Sequence, residues 1–413
     1  MDGRGRTTGV VLILDIQLKV SRRWGRALFG LVLIVCLLQA KKAIDFGGYW
    51  HAVRAAVESG FHQIPYPAGE TAKSGDYFQS PVTTLLPIPW SLPPEKAAKL
   101  LWSFTNLLLV AWLLRVWVRE SLPFTQVLFF AMVFAHGLSD VFLSGNINFP
   151  LLALLVAGWT LMDRSSTIAQ VLGATCLAIA VYIKVLPLIF LVFLVATAQW
   201  KKAGFFLGAL VALPLLTWAA LPAGTFLPWW QGWLHAVSLY GAASEPGRLA
   251  FQSPPAAIVR LLDRLTDLST TQLLGVMHAS AVAITAGLLA IAFILWRRGN
   301  GSREWVFPVL LSAFFLGGPY SWALTTLFCF PLVYLATRSG ISRVARTAAL
   351  VLVLVLKELW PKHIWNEIAW WSLPAICLAI LMLEALAKGI RSSWPAFVHH
   401  TEPQRPALSS DQS

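Results

Sequence analysis

Residues 177–194 read LAIAVYIKVLPLIFLVFL, eighteen positions with a single charge, Lys184, and a single proline, Pro187. A membrane-crossing helix needs about 20 apolar residues, and at that depth irregular backbone leaves its polar groups unpaired, so such a run reads as helix in hydrocarbon. The same texture recurs along the chain. Apolar runs at 25–40, 98–118, 123–141, 147–162, 166–183, 185–199, 203–221, 274–296, 305–317, 322–337, 343–358 and 368–387 predict an all-α, polytopic membrane protein with about twelve transmembrane helices. The runs at 185–199 and 305–317 fall below the roughly 17-residue minimum, so they borrow flanking residues or stop partway across.

Composition agrees. Of 413 residues, 57% are hydrophobic and only 12% charged, with a mean hydropathy of +0.67. Soluble domains carry about 25% charged residues, and no stretch here is polar enough for a separate soluble domain. The expected organisation is a cytoplasmic amino-terminal segment at 1–23, a membrane domain at 24–392, and a disordered cytoplasmic tail at 393–413. The net charge of +13 reads as topology rather than as nucleic-acid binding. Arg22, Arg23, Arg26, Lys201, Lys202, Arg297 and Arg298 lie in clusters that belong inside, which places both termini in the cytoplasm and the segments 41–97 and 222–273 outside. Asp15 interrupts the apolar stretch at 10–16, so no removable signal peptide is predicted. Cys36, Cys176, Cys329 and Cys377 sit in apolar runs without C-x-x-C spacing and read as packing residues. The tryptophans cluster at helix ends, at Trp229, Trp230 and Trp233 and again at Trp360, Trp365, Trp370 and Trp371. Anchoring in the headgroup layer is the expectation there, with sugar stacking as the alternative.

The external segments hold the ionisable groups that need a reason to be near hydrocarbon. Asp45 follows the first apolar run, and residues 46–59 place Tyr49, Val53, Ala56 and Val57 on one face, which suits a helix lying in the membrane interface. Taken alone, an aspartate so placed is more often a helix N-cap or a partner for Lys41 or Lys42. Beyond Tyr66-Pro67 and Asp76, the prolines Pro87, Pro89 and Pro93 forbid a regular spanning helix, so this stretch is expected to dip in and line a cavity. Lys184 reads either as a functional cation or as a side chain snorkelling to the interface, and Arg260 as a functional cation or an interfacial anchor. Asn146 and Asn148 read as ligands for sugar hydroxyls or as caps of the helix that follows.

Taken in order, these residues form a pattern: D-x-x-x-Y-x-x-A from Asp45, Tyr66-Pro67, an aromatic-x-x-Pro run, Gly145-Asn146-Ile147-Asn148, Lys184-Val185-Leu186-Pro187, Phe251-Gln252-Ser253 then Arg260, and Pro319-Tyr320-Ser321-Trp322. The pattern resembles glycosyltransferase family 87, membrane enzymes of the GT-C fold. Asn146 stands where the family has Gln, Phe251 where it has Asn and Gly318 where it has Ser. After Ser-Trp, mannose-transferring members carry His, whereas this chain has Ala323.

The resemblance implies inverting transfer of a hexose or pentose from a polyprenyl-phosphate-linked donor to a lipid or glycan acceptor at the external face of the cell membrane. Such a reaction needs a base for the acceptor hydroxyl, for which Asp45 is best placed. It also needs a cation for the departing phosphate, assigned to Lys184 with Arg260 second. Tyr49, Asp76, Asn146, Asn148, Gln252, Ser253, Ser321 and Trp322 are the expected substrate contacts, with His235, Glu245 and Arg248 as lesser candidates for the acceptor side. The absence of D-x-D argues against a metal-held nucleotide sugar, no cofactor is expected, and no Walker sequence supports ATP-driven transport. A multi-pass transporter or lipid flippase is the alternative. Against it, the halves show no internal repeat, and the ionisable residues gather on one side of the membrane.

Overall fold

The computed structural model describes residues 43–66, 79–117, 124–243, 251–299, 303–321, 323–337, 341–354 and 373–392. Among the described residues the regular elements are helices, as the apolar runs predict. In chain order they are α1 (Ile44–Glu58), α2 (Glu95–Trp117), α3 (Phe124–Ser144), α4 (Asn148–Met162), α5 (Thr167–Ile183), α6 (Leu188–Ala196) and α7 (Trp200–Ala220). There follow α8 (Phe226–Ala243), α9 (Pro254–Leu265), α10 (Thr270–Arg298), α11 (Val306–Leu316), α12 (Phe330–Thr337), α13 (Arg343–Leu354) and α14 (Leu373–Ser392). Two single turns, Pro81–Thr84 and Ile88–Ser91, occupy the proline-rich stretch, and a 3-10 segment, Ala323–Cys329, precedes α12. The run at 25–40 lies outside the described residues.

Three helices, α2, α7 and α10, are long and apolar enough to cross a membrane. On α7 the large side chains Leu207, Val211, Leu215 and Trp218 are all exposed, a continuous apolar face that suits lipid and not water. The two short runs behave differently from one another. At nine residues α6 rises only about 13 Å, less than half the hydrocarbon thickness, so it is too short to cross alone. Every residue of α11 is buried, which makes it a core helix surrounded by protein.

The most extensive helix contact among the described residues joins α4 to α5. The turn between them is closed by Ser166, whose hydroxyl accepts from the Ala169 backbone N–H. Glycine permits the close approach: a Cβ on Gly173 would lie 2.7 Å from the Gly158 carbonyl oxygen, and one on Gly158 would lie 2.8 Å from the Leu177 side chain. Small residues at a membrane helix interface let the backbones meet in this way.

Proline ends α5. A helical Pro187 would clash with the carbonyl of the residue four positions back, which is Ile183, the last residue of the helix. Lys184 therefore takes an extended conformation (φ −147°, ψ 134°), and the chain turns through Val185 and Leu186 before α6 begins. A second proline is handled without a break. Pro214 sits inside α7, where it deprives the Leu210 carbonyl of its helical donor, and the Tyr182 hydroxyl donates to that carbonyl at 2.6 Å. The end of α5, two residues before Lys184, is thereby tied to α7.

The tryptophan expectation needs correction. Trp229 is fully buried with Ala56 and Leu221, so it lies in the protein interior and not in a headgroup layer. Trp230 and Trp233 are half-buried, and their rings meet edge to face at 5.2 Å. The cluster from Trp360 to Trp371 lies outside the described residues. Cys176, Cys329 and Cys377 are free thiols, the last two buried.

The proline repair can be measured. Tyr182→Phe leaves the Leu210 carbonyl without its donor and is expected to destabilise the fold by about 1–3 kcal/mol. Thermal melting of the protein in nanodiscs reads this as a lowered midpoint, and an unchanged midpoint would show that the hydroxyl is dispensable.

Candidate active site

The first turn of α1 is pressed onto the turn between α3 and α4. Gly145 makes this possible in two ways. Its φ of +69° lies in the left-handed region, and a Cβ there would meet the Cβ atoms of Phe46 at 2.8 Å and Ala43 at 3.0 Å. Its carbonyl accepts from the Trp102 indole at 2.8 Å, and the Trp102 ring stacks on Phe46 at 5.0 Å. Asp45 is thus delivered to the residue after the glycine: Asn146 Nδ2 donates to Asp45 Oδ2 at 2.9 Å. The Ser144 hydroxyl accepts from the Asn146 backbone N–H at 3.2 Å and stands near this carboxyl group.

Two residues further on, Asn148 is buried at the start of α4, and its Oδ1 accepts from Lys184 Nζ at 2.8 Å. The two halves of the predicted chemistry are thereby brought together at one helix start. One asparagine holds the carboxylate and the next but one holds the ammonium. Burial raises the Asp45 pKa above its ordinary value, opposed by the Asn146 hydrogen bond, the Lys184 charge and the Ser144 hydroxyl. Tyr49, one turn after Asp45, is buried on the same inner face of α1 with Phe46, Val53 and Ala56.

Several alternatives raised by the sequence are overturned. The N-cap of α4 is Ile147 and receives no side-chain bond, so neither Asn146 nor Asn148 is a cap. The N-cap of α1 is Ala43, so Asp45 is not a cap either. Arg260 is only 1% exposed, which excludes an interfacial anchor.

Arg260 belongs to a second cluster. Its Nη1 donates to the Phe251 carbonyl at 2.7 Å, and burial pushes its pKa down to about 10, so the guanidinium stays charged at neutral pH. Gln252 N–H donates to the Ser321 carbonyl at 2.8 Å, Ser253 Oγ to the Pro319 carbonyl at 3.4 Å, and Ser321 Oγ to the Phe314 carbonyl at 2.7 Å. These bonds knit two chain segments about seventy residues apart in sequence into one surface. Tyr320 packs edge-on against Phe251, and its hydroxyl meets His278 Nε2 at 3.1 Å. His278 is not legible in the sequence, because a lone histidine on the outer face of α10 carries no motif. Ser144 and Trp102 escape notice for the same reason. Asp76 and Trp322 lie outside the described residues, as do Glu245 and Arg248, while His235 is exposed on α8.

Helices with lipid-suited faces, and a buried carboxylate and ammonium held at one helix start, suit an enzyme that works at a membrane. The comparison with protein families makes this specific: the family model described as glycosyltransferase family 87 matches residues 77–319, more than half the chain. The chain belongs to this family and is a membrane glycosyltransferase. No curated protein and no solved structure matches it. The matched region contains Asn146, Asn148, Lys184 and Arg260 but leaves out Asp45, whose place in the site rests on geometry.

Two substitutions probe this geometry. Asn146→Ala removes a bond that lowers the Asp45 pKa, so the acid limb of the pH–activity profile is expected to move to higher pH. An unmoved limb would detach that limb from Asp45. Gly145→Ala forces a left-handed alanine against Phe46 and is expected to reduce transfer more than it reduces melting temperature. Equal loss of both would make the glycine a matter of stability alone.

Proposed function

We propose that the enzyme transfers a hexose or pentose from a polyprenyl-phosphate donor to a lipid or glycan acceptor, with inversion, at the external face of the cell membrane. In this reading about twelve helices span the bilayer, both termini are cytoplasmic, and α1 lies in the outer interface with Asp45 at its inner end. The observation that carries the reading is the joint placement of Asp45 and Lys184 through Asn146 and Asn148.

The acceptor hydroxyl gives its proton to the Asp45 carboxylate as its oxygen forms a bond to the anomeric carbon. The bond from that carbon to the phosphate oxygen breaks with its electron pair, and polyprenyl phosphate departs as an anion. No acid is needed for a leaving group that is stable when charged, and the Lys184 ammonium steadies the charge as it develops. Arg260 is the second phosphate candidate and also shapes the Phe251–Ser253 surface. The Oδ1 of Asn146 is buried without a hydrogen-bond partner, an arrangement that costs about 1–3 kcal/mol and that a substrate hydroxyl would relieve. Gln252, Ser253, Ser321 and Tyr49 are further proposed substrate contacts, as are Asp76 and Trp322, which lie outside the described residues.

General-base catalysis contributes about 100- to 10,000-fold, so Asp45→Asn is expected to lower kcat by that order while donor binding persists. Lys184→Met is expected to lower kcat by about 100- to 1,000-fold, the usual loss when a stabilising donor is removed. Both are measured as transfer from polyprenyl-phosphate sugars in nanodiscs. Full activity of Asp45→Asn would remove the base assignment, and sugar movement across vesicles without a covalent product would replace transfer by transport.

A further inference from the structure

The short helix α9 is built inside out for a protein in water. Its Arg260 is buried with Pro255, Ala256 and Val259, while Ile258, Leu261 and Leu265 are 39%, 53% and 70% exposed. Successive helical residues turn by about 100°, so these three side chains fall within about 60° of one another and form a single outward stripe. Asp263, also exposed, stands about 160° around the axis from Leu265, and the exposed Thr266 and Asp267 follow the helix end. A lone exposed leucine needs no explanation, but an apolar stripe on a helix that buries its guanidinium calls for a partner.

The neighbouring helix fixes the level at which the stripe lies. α9 packs on the first turns of α10, where Val259 shares a buried cluster with Leu273 and Met277. At 29 residues α10 rises about 43 Å, well beyond the roughly 30 Å of hydrocarbon. Its surface shows which part is in excess. Near its start the exposed residues Thr270, Thr271, Gln272 and His278 are polar, whereas from Ala279 to Ile294 no exposed residue carries a polar side chain. Arg297 and Arg298 then close the helix. The stretch between His278 and Arg297 rises about 28 Å, close to the hydrocarbon thickness. One edge of the hydrocarbon therefore lies near His278, and α9, seated on Leu273 and Met277 within two turns of it, is at the level of the lipid headgroups.

We infer that α9 is a membrane-surface helix, whose Ile258, Leu261 and Leu265 rest among the lipid acyl chains at the end of the bundle opposite Arg297 and Arg298. The bilayer is the partner, because it already covers α10 up to this level. A second copy of the chain does not fit as well: three side chains offer far less than the roughly 800 Å² per partner that a stable protein interface buries. Asp263 and Asp267 stay on the water side, the usual division for a helix lying in the interface. The docking does not depend on which group the enzyme transfers. Within the proposed reaction it holds Arg260 and the Phe251–Ser253 surface at the height of the lipid phosphates.

The test uses the full-length protein in nanodiscs, with its four native cysteines replaced by alanine and a nitroxide attached to one new cysteine at a time. Ile258→Cys, Leu261→Cys and Leu265→Cys report on the stripe, and Asp263→Cys and Thr266→Cys are the controls away from it. Electron paramagnetic resonance reads collisions with oxygen, which concentrates in hydrocarbon, and with a water-soluble nickel chelate. Each stripe label is expected about 5–10 Å below the lipid phosphates with oxygen collisions dominant, while the controls collide mainly with nickel. Stripe labels that collide mainly with nickel would put α9 in water and overturn the inference. Labels shielded from both reagents would mean that protein covers the stripe, which overturns it as well. A second measurement keeps the native cysteines: p-benzoylphenylalanine is installed at Leu261, the nanodisc sample is irradiated, and adducts are identified by mass spectrometry. A lipid adduct is expected; a cross-link to a second chain, or the absence of any lipid adduct, counts against the membrane as partner. Neither measurement requires turnover, so failure of the transfer reading leaves both intact.

Discussion

The close approach of α1 to the turn before α4 governs the site. At Gly145 the absence of a side chain lets Ala43 and Phe46 settle against the backbone, and the left-handed conformation turns the following residue back toward α1. Trp102 fastens the same carbonyl from α2 and stacks on Phe46, so three helices converge on one glycine. Asp45 meets Asn146 because of this contact. For a largely buried carboxylate, fixing the backbone is how the charge is fixed.

The placement of Lys184 follows from a different constraint. A lysine inside a continuous helix would be confined to one face of it, whereas the break imposed by Pro187 frees Lys184 from the helical direction and lets it reach Asn148 across the α4–α5 pair. The tight glycine contact between those helices sets how far it must reach. Tyr182 then binds the break to α7 by serving the carbonyl that Pro214 leaves open. Two prolines, each a liability in hydrocarbon, are thus used to shape and to secure the same corner of the fold.

Much of this is legible in the sequence, for identifiable reasons. Helix positions follow from apolar runs, and even the predicted short helix after Lys184 is short because proline chemistry is local. The ordered motifs point to the family and, through that resemblance, to the two asparagines, while a lone charge beside an apolar run draws attention to Asp45 and Lys184. What stays hidden depends on contacts between distant parts of the chain. No linear pattern shows that Asn146 and Asn148 serve side chains instead of capping α4, that Trp229 is buried against Ala56, that Arg260 is spent on the Phe251 carbonyl, or that His278 meets Tyr320. The burial of Trp229 escapes a reading by type because an amphipathic ring is equally content at an interface and in a core with its apolar body covered.

The arrangement of the two charges explains why amides stand between them. Among the described residues Asp45 and Lys184 do not pair directly; each is held by a neutral asparagine, and they sense each other only through space. A direct ion pair would stabilise both charged forms, which would make the carboxylate less basic and occupy the ammonium that the proposed reaction gives to a phosphate. A neutral amide holds a charge in place by a dipole while leaving it available to a reacting partner. The raised pKa of Asp45 fits the proposed division, since burial makes a carboxylate more basic while the Asn146 hydrogen bond and the more distant Lys184 charge limit the shift. Separating the charges by two neutral side chains on one helix start keeps an anion and a cation apart, and in the proposed reaction a sugar–phosphate ester presents the complementary order: a carbon that accepts an oxygen, followed by a bridging oxygen that leaves with negative charge.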